Sequence, residues 1–329
     1  VRRMRWISRQ IGRVPVAPLS SLLDGRSGRR RNRFWLGIQR YHSNGIRQQD
    51  SRITEMQKLE FYELDKIAVK EDRGIQYRSV QYNVALARQL HNIEERLIGM
   101  HPDGYRPIMK GATPAQRCVR LLKQAVKYKE PVYLLLDHSR FDAHVNLQLL
   151  REEHGVYLRC RERDPELRRL LKWQERNKGR SEGGIVYAIR GKRMSGDCNT
   201  SLGNSILNMA MLYAWLDKSQ VRGTVFLDGD DSVVIVEKSE EHNLLPVKDF
   251  MLDLGMETEC ERTEDFWKVE FCQSRPCNLD GNVTFVRNPW KVLATFGRMP
   301  QSVDVRQAKD IVRASAMCEI AMAPGCPVI

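Results

Sequence analysis

Three aspartates stand close together in the segment 224–236, where two short runs of β-branched and apolar residues flank a Gly-Asp turn. The pattern predicts a β-hairpin that carries Asp228, Asp230 and Asp231 at its tip. Carboxylates crowded in this way repel one another unless a cation neutralises them, so the hairpin is a candidate divalent-metal site. The tripeptide Gly229-Asp230-Asp231 is weak evidence alone, and it needs partner residues elsewhere in the chain.

A further carboxylate ends a continuous apolar run. Residues 131–136 suit a strand buried on both faces, and Asp137 emerges at its end. A helix is predicted from Phe141 to Leu150, so Asp137 could simply cap that helix. Alternatively the strand lies beside the hairpin, and Asp137 and Asp230 could then share a pair of magnesium ions, which prefer hard oxygen ligands.

Short polar side chains line one face of a predicted helix between these two segments. The helix is expected from about Thr200 to Trp215, after a flexible loop at Ser195-Gly196. Thr200, Asn204 and Asn208 recur every four residues, and such a face suits hydrogen bonding to a ligand hydroxyl. Helix capping explains polar residues at the start of the helix but not Asn204, which lies one turn inside it.

Together these motifs resemble motifs A, B and C of viral RNA-dependent RNA polymerases, and most closely those of the tombusvirus-like group of positive-strand RNA viruses. The residues that carry the resemblance follow the family's order and spacing: Asp137-x4-Asp142, Ser195-Gly196-x3-Thr200-x3-Asn204 and Gly229-Asp230-Asp231. Further support comes from 141–145, from 193–197 and from the stretch 272–276, which is similar to the family's motif E. The resemblance covers roughly Arg73 to Ile329.

The resemblance implies template-directed RNA synthesis with two Mg²⁺ ions, for which Mn²⁺ could substitute. Asp137 and Asp230 would hold both metals, with Asp231 as an accessory carboxylate. One ion would activate the primer 3′-hydroxyl, and the other would neutralise the triphosphate and the leaving group. The resemblance also implies residues that sense the ribose 2′-hydroxyl and select the nucleotide, namely Asp142, Ser195, Gly196, Thr200 and Asn204.

Basic residues upstream resemble the family's motif F, which guides the incoming triphosphate. Arg73 and Arg78 fit best, because a guanidinium binds phosphate oxygens through two parallel hydrogen bonds. Lys70 is a weaker candidate, since a solvated charge run explains it better. The family usually has Pro where this chain has Tyr77, which alters the expected loop.

One departure concerns motif D, where the family commonly carries a lysine proposed as the acid that protonates pyrophosphate. Glu259 occupies that place in this chain. Lys248 or Lys268 could substitute if the fold brings one of them near the site, so the general acid is left unassigned.

Composition agrees with a polyanion-binding protein. The chain has 54 Lys+Arg against 41 Asp+Glu, a formal charge of +13, and a basic surface attracts RNA over long range. No apolar run is long enough to span a bilayer, and no secretory signal is present. The eight cysteines lack the spacing of a zinc site and are expected to be reduced thiols.

The expected fold is α+β, a right hand of fingers, palm and thumb with an antiparallel palm sheet backed by helices. Its expected parts are a basic, partly disordered arm or fingertip region (1–60), fingers with motif F (61–130), palm (131–150 and 194–290), a fingers insertion (151–193) and an incomplete thumb (291–329). The arm could hold RNA or could be a solvated tail. The first residue, Val1, suggests a piece of a longer reading frame.

The expected partners are template and nascent RNA, NTPs and other viral replication proteins. The expected location is the host cytoplasm, at membrane-associated replication complexes reached through another protein or a further segment. A reverse transcriptase is one alternative, but those enzymes usually exclude the 2′-hydroxyl with a bulky aromatic residue, whereas Asp142 and Asn204 can bind it. A basic RNA-binding or scaffold protein with an inactive site is the other, and the absent motif D lysine keeps it open.

Overall fold

The computed structural model describes residues 1–60, 71, 73–299 and 303–326. In chain order the helices are α1 (Arg2–Ile11), α2 (Gly28–Asn44), α3 (Val80–Ile98), α4 (Pro114–Ala125), α5 (Phe141–His144), α6 (Leu147–Cys160), α7 (Pro165–Gln174), α8 (Thr200–Ser219), α9 (Val247–Asp253), α10 (Pro289–Thr295) and α11 (Val305–Met322). The strands are β1 (Ile53–Gln57), β2 (Gly74–Tyr77), β3 (Pro131–His138), β4 (Arg176–Ser181), β5 (Val186–Arg190), β6 (Gly223–Asp228), β7 (Asp231–Glu237), β8 (Thr258–Thr263), β9 (Ser274–Leu279) and β10 (Asn282–Arg287). The chain is therefore a mixed α/β protein.

A four-stranded antiparallel sheet, here called the central sheet, has the order β6-β7-β3-β8. Its inner strands are rich in Val, Ile and Leu, which favour a pleated surface buried on both faces. The register sets Leu136 opposite Ser232 and Asp228 opposite Asp231. Asp137 therefore lies beside the turn that joins β6 to β7, and both the predicted hairpin and the predicted buried strand are confirmed.

Alternate residues of β3 face two different cores, as the two-residue period of a strand requires. Leu136 packs in the larger core together with α8, whereas Tyr133 packs in a second core with Phe285 of β10. The predicted helix at Thr200 is confirmed, and it continues to Ser219. Because α8 is buried along most of its length, it forms a rigid support for the central sheet.

The helix expected over residues 141–150 is instead two helices. The side chain of Asn146 accepts a hydrogen bond from the Leu149 N–H (3.0 Å), so Asn146 caps a new helix, α6. The N-cap of the short helix α5 is Arg140, and Asp137 therefore does not cap a helix. The break places Asp142 on α5, separate from α6.

A second sheet has the order β2-β1-β4-β5. Strand β1 pairs antiparallel with β2 and parallel with β4, and β4 and β5 form a hairpin. This sheet brings the segment after Arg73 next to the insertion that lies between β3 and α8 in the chain.

The expectation of a partly disordered arm over residues 1–60 is wrong for α1. Met4, Ile7 and Ile11 recur at helical spacing and are buried in the larger core. Arg3 Nε donates to Asp217 Oδ2 of α8 (2.6 Å), and the Trp6 ring lies 5.4 Å from the Tyr213 ring. The many arginines conceal this apolar stripe, which is why charge alone suggested an exposed arm.

The C-terminal part consists of the β9–β10 hairpin and two helices. Strand β10 packs against α4, while α11 has no buried side chain. Met317 and Ile320 of α11 are 61% and 60% exposed. Among the helices in the described part of the chain, none combines the length and the apolar character that a bilayer crossing needs.

Candidate active site

The turn between β6 and β7 is held by α8. Gly229 has φ 72°, a left-handed conformation that glycine adopts without strain. The Asn208 amide donates to the carbonyl oxygens of Gly229 (3.1 Å) and Asp230 (3.0 Å), and the Gly229 N–H donates to Ser205 Oγ (3.1 Å). Asn208, predicted to face a ligand, thus fixes the backbone that carries Asp230 and Asp231.

Asp137, Asp230 and Asp231 interact electrostatically at the end of the central sheet. Burial raises the pKa of Asp230, and the negative charges of Asp142 and Asp137 raise it further. Burial also raises the pKa of Asp231 to about 6, with added contributions from the charges of Asp230, Asp137 and Asp228. These carboxylates are therefore close enough to destabilise one another when ionised.

The kind of donor at this site, carboxylate oxygen, suits a divalent cation. Within the described residues, no three carboxylate, imidazole or thiol groups converge closely enough to coordinate a metal. The raised pKa values of Asp230 and Asp231 nevertheless reveal half-buried negative charges that a cation would stabilise. Carboxylate oxygens are the ligands that Mg²⁺ and Mn²⁺ prefer.

Asp228 is already engaged by a basic side chain. Arg117 of α4 donates from Nη2 to Asp228 Oδ2 (2.5 Å) and from Nε to the Ala112 carbonyl oxygen (3.2 Å). The Arg117 guanidinium also lies 5.9 Å from the centre of the Phe271 ring. This ion pair partly neutralises Asp228 and occupies one of its carboxylate oxygens. No sequence pattern pointed to Arg117, which is 111 positions away from Asp228.

Asp142 and Asn204, both assigned to nucleotide selection from the sequence, contact each other in the structure. Asn204 Nδ2 donates to Asp142 Oδ1 (2.8 Å), and both residues line a cavity of about 830 Å³. Burial raises the pKa of Asp142, an effect opposed by the hydrogen bond from Asn204 and by the positive charge of Arg193. The pair can therefore present both a donor and an acceptor to a hydroxyl group.

The other three predicted nucleotide-selecting residues line the same cavity, but their polar groups are partly used by the protein. Thr200 Oγ1 donates to the Met194 carbonyl oxygen (2.9 Å), and because a capping side chain accepts from a backbone N–H, this is not the predicted helix cap. Ser195 Oγ donates to Gln76 Oε1 (3.1 Å). A Cβ atom on Gly196 would lie 2.6 Å from the Gln76 carbonyl oxygen, so a glycine is needed where this loop packs against β2.

The structure contradicts the predicted triphosphate role of Arg78. This side chain is 1% exposed, and all three guanidinium nitrogens have protein acceptors. Nε donates to Asp197 Oδ1 (2.7 Å), Nη1 to the Ser51 carbonyl oxygen (2.6 Å) and Nη2 to Asn177 Oδ1 (2.6 Å). Arg73 does line the cavity. Lys70 lies outside the described residues.

Further arginines line the cavity and were missed in the sequence. Arg26, Arg30 and Arg33 join Arg73 there, and these four residues are here called the basic wall. The Arg26 guanidinium lies 4.0 Å from the centre of the Phe34 ring. The signal available in the sequence was the three-residue spacing of Arg30 and Arg33, which places them on one helix face.

Glu259, at the place of the motif D lysine, lies opposite Asp137 in the register of β3 and β8. It forms an ion pair with Lys248, and both side chains are more than half exposed. Lys268 lies 4.0 Å from Asp265. Of the two lysines considered as substitutes, Lys248 is the one paired with a direct neighbour of Asp137.

Comparison with known proteins identifies the family. The sequence matches the family described as viral RNA dependent RNA polymerase over residues 3–329. The chain belongs to this family. It is 32% identical to the RNA-directed RNA polymerase of melon necrotic spot virus over 99% of this chain and 43% of that protein. It is 36% identical to the corresponding enzyme of tobacco necrosis virus (strain A) over 73% of this chain and 34% of that protein.

A third relative is the RNA-directed RNA polymerase of oat chlorotic stunt virus (isolate United Kingdom), 32% identical over 85% of this chain and 39% of that protein. The resemblance to polymerases of the tombusvirus-like group is thus confirmed. The chain spans less than half the length of these curated relatives.

Proposed function

We propose that this chain catalyses template-directed RNA synthesis from NTPs during replication and transcription of a viral RNA genome. The observation that carries the proposal is a cavity lined by Asp230 and by the Asp142–Asn204 pair, with Asp137 at the adjacent strand end. Family membership supports the same reaction class.

We also propose the right-hand arrangement for this fold. The central sheet with α8 would be the palm, and the second sheet with the basic wall would belong to the fingers. The β9–β10 hairpin would join the palm to a thumb that begins with α10 and α11. The antiparallel sheet order and the contact of β10 with α4 support this assignment.

Asp137 and Asp230 would hold two divalent cations, Mg²⁺ or in its place Mn²⁺, with Asp231 as an accessory ligand. When bound, such ions activate the attacking 3′-hydroxyl and neutralise the triphosphate and its leaving group. Asn208 keeps the turn of Asp230 in place, and Arg117 keeps Asp228 from competing as a ligand. Preorganised carboxylates require little rearrangement at the moment of reaction.

The substrate would be oriented from two sides. Asp142 and Asn204 would bind the ribose 2′-hydroxyl, while the Ser195-Gly196 loop and Thr200 shape the cavity around the sugar. Arg73 would bind the triphosphate, and Arg30 and Arg33 take the place that the sequence had suggested for Arg78. Exposed guanidinium groups can bind phosphate oxygens with two parallel hydrogen bonds.

A primer-extension assay tests the proposal. Asp230→Ala and Asp137→Ala should each lower incorporation at least about a thousandfold while leaving the circular dichroism spectrum unchanged. Mn²⁺ should raise the melting temperature of the unaltered chain, and both variants should lose that rise. Asp253→Ala, which removes an exposed carboxylate at the end of α9, is the matched control. Substantial incorporation by either active-site variant would contradict the assignment.

The partners and location follow from the same proposal. Template RNA, nascent RNA and NTPs would occupy the basic cavity, and other viral replication proteins would complete the replication complex. The complex would lie in the host cytoplasm on membranes reached through another protein or a further segment. Sedimentation of the chain with host membranes only when the other viral proteins are co-expressed is the expected result.

A further inference from the structure

A chain of buried hydrogen bonds leads from α6 to the cavity. The Tyr157 hydroxyl donates to Glu153 Oε1 (2.6 Å), and Arg193 donates to both carboxylate oxygens of Glu153. Arg193 Nε donates to Asn204 Oδ1 (3.1 Å), and Asn204 Nδ2 donates to Asp142 Oδ1 (2.8 Å). Of these five side chains, Asn204 and Asp142 line the cavity. The side chains of the other three are joined to the Asp142 carboxylate through Asn204, and the Arg193 N–H also donates to the Asp142 carbonyl oxygen (3.0 Å).

Arg193 and Asp142 together determine which way the Asn204 amide points. An asparagine side chain has a carbonyl end that accepts and an amino end that donates, and an ionised carboxylate such as Asp142 only accepts. A guanidinium has only donors, so the carbonyl end must face Arg193 and the amino end must face Asp142. The second N–H of that amino group, with a free oxygen of Asp142, forms a donor–acceptor pair for a hydroxyl.

Arg193 is itself held rigidly. The side chains of Arg193 and Glu153 are 1% and 0% exposed, and Glu153 also accepts from Asn199 Nδ2 (3.3 Å). A Cβ atom on Gly203 would lie 2.3 Å from Arg193 Nη2 and 2.4 Å from Glu153 Oε1, so α8 approaches this pair through a glycine. Buried ion pairs often add little net stability, and here the pair fixes an orientation.

We propose that Arg193 and Glu153 are positioning residues for ribose selection, which hold the Asn204 amide in the orientation that recognises a 2′-hydroxyl. The inference rests on the proposed polymerase function, and it extends the determinants of sugar choice to side chains that do not touch the substrate. Glu153 and Tyr157 lie on α6, in the segment between β3 and α8, so selectivity depends on how that segment packs behind the site.

The test measures single-nucleotide incorporation by the full chain and compares kcat/KM for an NTP and its dNTP. Glu153→Gln keeps the side-chain size but removes the charge that holds Arg193, so the NTP preference should fall about tenfold, mainly through poorer use of the NTP. Tyr157→Phe removes one hydrogen bond to Glu153 and should lower the preference about threefold.

Tyr82→Phe is the matched control. Tyr82 is as completely buried as Tyr157, and its hydroxyl donates to the Leu170 carbonyl oxygen (2.8 Å) outside this hydrogen-bonded chain. It should lose similar stability and keep the NTP preference of the unaltered chain. If Glu153→Gln does not fold, judged by circular dichroism, the comparison of Tyr157→Phe with Tyr82→Phe decides, and equal preferences overturn the inference.

Asn204→Ala separates the inference from the proposed function beneath it. If Asn204→Ala reduces the NTP preference and Glu153→Gln leaves it unaltered, the inference is overturned and the proposed function is not. An unaltered preference in Asn204→Ala removes Asn204 from sugar selection and the inference with it. In the double variant, Glu153→Gln should add nothing to the effect of Asn204→Ala, because it acts through that residue. A further multiplicative loss would overturn the proposed route.

Discussion

Two groups of ionisable side chains lie behind and along the cavity, and the arginines of one group are buried while those of the other are largely exposed. The first, here called the buried layer, consists of Arg78 with Asp197, Arg193 with Glu153, and His154, all of them less than a tenth exposed. The second is the basic wall, in which Arg30 and Arg33 are exposed. Both groups contain arginines, but the arginines of the two groups have different possible roles.

The difference follows from the cost of removing a charge from water. A buried charge without a partner is strongly unfavourable, so each arginine of the buried layer has a carboxylate partner and at least one other acceptor. Such side chains fix geometry and are not available to a ligand. Hydrated arginines in the basic wall can exchange water for phosphate oxygens, and salt should weaken that interaction.

The largest effect, on the free energy of unfolding, should come from removing an ion-pair partner in the buried layer. Arg78→Met removes the partner of buried Asp197 and should lower the free energy of unfolding by about 3–5 kcal/mol. Urea denaturation followed by circular dichroism measures this change. Arg33→Gln in the basic wall should change it by less than about 0.5 kcal/mol. Similar losses in the two variants would remove the distinction between the two groups.

His154 should make the free energy of unfolding depend on pH, by about 2 kcal/mol. Burial lowers its pKa to about 4, and its Nε2 atom lacks a hydrogen-bond partner in the described structure. The unfolded chain therefore binds a proton near pH 6.5 that the folded chain does not, so stability should fall as the pH drops from about 7.5 to 5. The unaltered chain should lose about 2 kcal/mol more over this range than His154→Gln. If urea denaturation gave parallel pH profiles of stability for the unaltered chain and His154→Gln, the prediction would be contradicted.

The smallest effect, on KM for NTPs, should come from substituting arginines of the basic wall. Arg30→Gln/Arg33→Gln should raise KM for NTPs about fivefold with little change in kcat, because phosphate contacts made equally in the ground state and transition state affect binding alone. The difference from the unaltered chain should shrink at high salt. Arg29→Gln, an exposed arginine of α2 that does not line the cavity, is the control. An equal rise in KM in the control would point to net charge instead of position.

Short-range sequence patterns predicted those parts of the site whose chemistry is local. The carboxylates at the hairpin tip, Asp137 at a strand end and Asn204 one turn inside its helix all follow from short-range patterns, and the structure places them as expected. The roles of Arg78, Arg30 and Arg33 were not predicted correctly, because a sequence shows the charge of a side chain but not how deeply it is buried. The Asp197 partner of Arg78 is 119 positions away, and only the fold brings the two together.

The sequence also could not predict which partners the polar side chains of the site would contact. Asn204 and Asn208 share residue type and helix face, yet the first meets Asp142 and the second binds the backbone of Gly229 and Asp230. The difference depends on what each amide meets after packing. The helix break at Asn146 was equally unforeseen, because the apolar pattern continues across it.

The docking of α1 on α8 has a consequence for biosynthesis. Arg3 and Asp217 are 214 positions apart, so a ribosome exposes the apolar stripe of Met4, Ile7 and Ile11 long before its binding surface has been made. Closing so long a loop is slow, and an uncovered stripe invites aggregation in the meantime. Nascent chains of this protein should therefore depend on chaperones until translation has passed α8.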